Sequence, residues 1–81
     1  MERVAIEHGF MSAHRYFEIQ KMLTIEFRDG RKWTHGNVSR EVYEELRDSE
    51  FPMLTWAVKI RQPLAENGRD RLYPVVATHA G

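Results

Sequence analysis

The chain has 81 residues, 42% of them apolar, with 12 basic residues against 12 acidic ones and no cysteine. A chain this short holds one small core, burying little more than ~60% of its unfolded surface. The lack of thiols excludes disulfide staples and thiolate zinc sites, and the balanced charge removes any overall attraction to nucleic acid. A reducing cytoplasm is the expected location, since no basic segment followed by an apolar run opens the chain and no window nears the ~20 apolar residues of a membrane span.

Charge is uneven along the chain. Arg28 to His35 holds three basic residues against Asp29, whereas Val38 to Glu50 holds five acidic residues against Arg40 and Arg47. Lys59 to Tyr73 is basic again, through Lys59, Arg61, Arg69 and Arg71.

Val4 and Ile6 alternate around Ala5, which predicts a short first strand ended by Gly9. Arg15 to Glu18 leads into a hairpin whose second strand is Met22 to Phe27, with Gln20-Lys21 near the bend. Leu23, Ile25 and Phe27 share one side of that strand and Thr24 and Glu26 the other, as a half-buried strand requires. Asp29-Gly30 tolerates the positive φ of a tight turn, so the chain should reverse there. In the next strand Trp33 and His35 alternate with Lys32 and Thr34, and Gly36-Asn37 ends it.

Ser39 is suited to cap a helix, with Glu41 favoured by the dipole in its first turn and Val38 and Tyr43 spaced as a hydrophobic staple. Val42 and Leu46 are expected on the buried face; Glu41, Glu44, Glu45 and Asp48 fall on the other. Pro52 limits this helix to Ser49 or Glu50. Met53 to Ile60 fits two periods: alternation of Leu54, Trp56, Val58 and Ile60 suits a strand, while Pro52 suits the first turn of a helix. Residues 63–81 read as a loop-rich extension in which Leu72 to Thr78 supplies an edge strand. The expected architecture is α+β: a small antiparallel sheet of three to five strands, with one main helix packed on one face.

The Leu23-Thr24-Ile25-Glu26-Phe27 strand followed by Gly30, the Val42-Tyr43 pair within Val38 to Leu46, and Ile60 downstream resemble the KTSC domain family. Its members are small domains found at the C-terminus of some lysyl-tRNA synthetases and as stand-alone bacterial and phage proteins. The resemblance covers residues 1–62. Trp33-Thr34-His35 stands where the family has Tyr-x-Tyr, Glu7-His8-Gly9 replaces a Ser-Ser-Asn-type element, and Arg15-Tyr16 replaces Gly-Tyr. The resemblance implies RNA binding without an established activity.

Arg28, Arg31, Lys32, Trp33 and His35 form the one cluster mixing cations with an aromatic, in which Trp33 would stack on a base and the cations meet phosphates. Arg61, Arg69 and Arg71 are supporting cations, and RNA or a nucleoprotein is the partner this cluster points to. Glu41, Glu44, Glu45, Asp48 and Glu50 offer the alternative, an acidic face docking on a basic protein surface. That would suit a phage- or mobile-element-encoded inhibitor of the anti-CRISPR type, or an adaptor. His8, His14, His35 and His79 lack the i, i+4 spacing of a zinc motif, so no metal is expected. Ser12 and Ser39 lack an identifiable triad, so neither catalysis nor a cofactor is expected. Trp56, with Leu72 and Tyr73, belongs either to the core or to a partner or dimer interface; alternation puts it beside Leu54 and Ile60, as a core residue.

Overall fold

The computed structural model describes residues 1–80. Five strands form one antiparallel meander in chain order: β1 (Val4–Ala5), β2 (Met11–Phe17), β3 (Met22–Phe27), β4 (Lys32–His35) and β5 (Val75–His79). Helix α1 (Arg40–Arg47) and helix α2 (Pro52–Trp56) follow β4, and α2 continues as a π-helical turn over Ala57–Arg61. Among the described residues no helix is long and apolar enough to cross a membrane.

The register explains the core. Tyr16, Leu23 and His35 pair across β2, β3 and β4, as do His14, Ile25 and Trp33. Each of these residues points to the helical side, because side chains alternate along a strand. A bulge at Ser12 resets the phase of β2, so Met11 before it and His14 and Tyr16 after it are all buried. Val38 just ahead of α1, Tyr43 and Leu46 on it, and Trp56 and Ile60 from α2 and its π turn complete this core. The opposite face carries Arg15, Thr24, Glu26, Lys32 and Thr34, with no helix over it.

The turns follow their chemistry, with one exception. Gly30 takes φ 95° in the β3–β4 hairpin, where Asp29 accepts from the Arg31 N–H at 3.0 Å. The β2–β3 turn has no glycine, and Lys21 itself adopts φ 54°. Its carbonyl is held by the Val38 N–H at 2.9 Å, which ties the turn to the start of α1. Ser39 caps α1 by accepting from the Val42 N–H at 3.2 Å.

Of the two periods that Met53 to Ile60 fits, the helical one is realised, which corrects the neighbours inferred from alternation: Trp56 and Ile60 face inward one turn apart, so Leu54 is on the outside and not beside Trp56. The chain reaches this phase through the π turn, closed by the Gln62 N–H on the Ala57 carbonyl at 3.0 Å, a geometry that hydrophobic spacing does not encode. On α1 the fully buried pair is Tyr43 and Leu46, with Val42 only half-buried. The edge strand of the tail is present as Val75–His79, and it pairs with β4 as part of the same sheet.

Candidate functional site

Where the β3–β4 hairpin meets α2, four aromatic rings come together. Phe27 stands edge-on to Trp33 at 5.0 Å between centroids and to Trp56 at 5.7 Å, Trp33 lies 6.0 Å from Trp56, and Phe10 stacks on Phe27 at 6.1 Å. Phe27 and Trp56 are buried, Trp33 is half-buried and Phe10 is 52% exposed, so the cluster opens to solvent on one side. The opening is a cleft of about 510 Å³ between Phe10, Trp33, Arg28 and Arg31.

Two guanidinium groups lie on its rings. The Arg61 guanidinium carbon is 4.8 Å from the Trp33 centroid, and that of Arg31 is 5.5 Å from the Phe27 centroid. Stacking of this kind leaves guanidinium N–H edges free to donate. Arg31 also pairs with Asp29 at 2.8 Å. Asp29 is held below the ordinary carboxylate range by the Arg31 backbone N–H first, and by the guanidinium as well. Arg61 makes no ion pair among the described residues.

The structure divides the five hairpin residues singled out by sequence. Arg31 and Trp33 share the cleft. Arg28 lies at its edge, but its guanidinium donates to the carbonyls of Gly9 at 2.7 Å, Ile6 at 3.0 Å and Met11 at 3.1 Å, and so serves to hold the β1–β2 loop. Lys32 points to the opposite face of the sheet, where it pairs with Glu26 and His79 in register. His35, 1% exposed, cannot reach a ligand. Its Nε2 accepts from the Trp56 indole N–H at 3.0 Å, which leaves Nδ1 to carry the proton and donate to the Tyr73 carbonyl at 2.9 Å. Burial lowers the His35 pKa, and a second proton would set N–H against N–H. None of the three supporting cations lines the cleft itself: Arg61 reaches the cluster only by lying on the Trp33 ring, Arg71 donates to the Gln62 carbonyl at 3.3 Å, and Arg69 contacts none of the four rings.

The acidic helix is also divided. Glu44 is paired by Arg40 at 3.7 Å and Arg47 at 3.4 Å, and Asp48 by Arg47 at 2.9 Å. Glu41, Glu45 and Glu50 make no ion pair among the described residues, and Glu50 lies beyond the helix, beside Phe51. The four histidines are dispersed: among the described residues no three His, Asp or Glu side chains converge as metal ligands. Ser12 and Ser39 are both committed, Ser12 donating to the Glu26 carbonyl at 3.2 Å and Ser39 capping α1.

Sequence reasoning joins Arg61 to the hairpin as a supporting cation but does not group Phe10, Phe27 and Trp56 with it. Phe27 and Trp33 flank the Asp29-Gly30 turn, which is a readable sign that their rings meet. Phe10 arrives from a distant segment with no such sign. Comparison with protein-family models found no match to this chain, and comparison with curated proteins found no significant one.

Proposed function

We propose that this protein is a non-enzymatic cytoplasmic binding module that takes single-stranded RNA, free or within a nucleoprotein, at the Phe10–Trp33 cleft. The observation that carries this reading is an aromatic cluster open on one side with the Arg31 and Arg61 guanidiniums laid on its rings. Phe10 offers an exposed ring for a base, an interaction of about 1–3 kcal/mol per base. Arg31 lines the cleft with it and Arg61 lies on the neighbouring Trp33 ring, and both guanidiniums would meet phosphates. The resemblance to KTSC domains points to the same ligand. The acidic helix is the weaker surface, because Arg40 and Arg47 neutralise Glu44 and Asp48.

The test exploits two sequence neighbours, Arg31 in the cleft and Lys32 on the opposite face of the sheet. Labelled single-stranded RNA is titrated into the protein and its anisotropy followed across a salt series. Arg31→Glu and Arg61→Glu should each weaken binding by about tenfold or more, and Lys32→Glu should change it only slightly. Equal loss in all three variants, or no binding by the wild type, would refute the cleft as the RNA site.

A further inference from the structure

On the other side of the β1–β2 loop from the aromatic cleft lies a second depression, a groove of about 490 Å³ between residues 5–9 and the α1–α2 connection over residues 49–54. Its apolar wall is built from Ile6, Phe51, Pro52, Met53 and Leu54. The inward face of α2 is filled by Trp56 and Ile60, so Phe51 and Leu54 are turned outward, 66% and 63% exposed. A concave depression of this volume lined mostly by apolar side chains is the kind of surface that takes an apolar ligand group.

Both walls are held in place. The Phe10 N–H donates to the Met53 sulfur at 3.2 Å, and that sulfur sits where any side chain at Gly9 would be, so the loop and α2 are locked together only because residue 9 is glycine with φ 86°. The groove is therefore preformed in the free protein.

Its charge selects the occupant. Glu7 and Glu50 line the groove and make no ion pair among the described residues, and no lysine or arginine lines it. Arg28 donates to the carbonyls of Ile6 and Gly9 on this loop and of Met11, and its single charge stands against the two carboxylates. Phosphates would be repelled here, whereas lysine or arginine beside an apolar anchor would be attracted. We propose that this groove docks a short segment of a partner protein in which apolar anchor residues are flanked by lysine or arginine. It is a site separate from the aromatic cleft, with a ligand of opposite charge.

The test is selection of a random peptide library displayed on phage against the folded wild-type domain, with the Leu54→Asp/Glu50→Lys variant as counter-selection. Leu54 and Glu50 are exposed, and circular dichroism should show that the variant folds. Selected peptides should combine Leu, Ile, Phe or Trp with Lys or Arg, and should bind the variant at least about tenfold more weakly. Their binding should weaken with salt and shift the amide resonances of residues 5–9 and 49–54 in the wild type, leaving those of Arg31 and Trp33 in place. Failure to enrich such peptides over the variant, enrichment of acidic peptides, or shifts centred on Arg31 and Trp33 would overturn the proposal. So would a concentration-dependent dimer, seen by sedimentation, that Leu54→Asp converts to monomer, since the occupant would then be a second copy of this chain.

Discussion

The buried side of the sheet carries two aromatic clusters built from similar parts, and they end differently. Under α1, Tyr16 stacks on Tyr43 at 4.9 Å, both rings are fully buried, and each hydroxyl is used: Tyr16 donates to the Val38 carbonyl at 2.7 Å and Tyr43 meets His14 Nδ1 at 3.0 Å. Under α2, Trp33 and Trp56 pack with Phe27, and a buried histidine again supports one of the rings, but Phe10 and the two guanidiniums leave this cluster open. Residue type does not separate core from site here. Closure does: a cluster sealed between sheet and helix stabilises, and one left uncapped beside free N–H donors can bind.

The largest test of this contrast compares ring removal at the base and at the mouth of the open cluster. Trp56→Ala should cost about 3–5 kcal/mol and leave the domain largely unfolded, as loss of a buried aromatic does. Phe10→Ala should cost no more than about 1 kcal/mol, because its ring is already half in water. Urea denaturation of the two variants measures both, and comparable costs would mean that the mouth is as much core as the base.

A smaller effect separates the hydroxyls from the rings. Tyr16→Phe keeps the stack on Tyr43 but strips the Val38 carbonyl of its side-chain donor, which should cost about 1–3 kcal/mol. Trp56→Phe should cost a similar amount or more, since it also deprives the His35 Nε2 of its donor. A cost near zero for either would show that the buried polar groups find water instead.

Acid sharpens the likeness between the two clusters. His14 and His35 both have their pKa lowered by burial, so each is held neutral in the folded state. The unfolded chain takes up protons first as pH falls through about 6.5, and stability should therefore be complete above that value and decline below it. His14→Gln and His35→Gln should each flatten the fall measured between about pH 8 and pH 5, after correction for their lower starting stability. An unchanged slope in both variants would mean that carboxylate protonation sets the acid limit.

Much of the fold is legible in the sequence, because the β3–β4 hairpin and α1 are encoded locally: alternation in Leu23 to Phe27, Asp29-Gly30 at the turn, Ser39 at the cap. The RNA-site candidates were less legible. Period two puts Lys32 and Trp33 on opposite faces of β4, yet adjacency in the chain groups them, and only pairing with β5 makes their separation a matter of distinct surfaces. His35 looks like a surface imidazole until Trp56 and Tyr73 arrive from 21 and 38 residues away to bond both its nitrogens. Arg61 reaches Trp33 from the end of a π turn, and nothing local in the sequence specifies that wider winding.

Arg61 also supplies the smallest effect on folding and the finest test of the open cluster. Arg61→Lys keeps the positive charge but replaces a planar group, able to lie flat on the indole and donate from its edge, with an ammonium that meets the ring only as a point charge. Stability should change by less than about 0.5 kcal/mol, within the range of ordinary surface substitutions. RNA affinity should nevertheless fall several-fold, while the salt dependence stays the same because the count of cations is unchanged. If the lysine variant binds as tightly as the wild type, charge alone recruits the ligand and the guanidinium–indole stack is incidental. If affinity falls at constant salt slope, Arg61 acts by its shape, through the opening that the α1 cluster lacks.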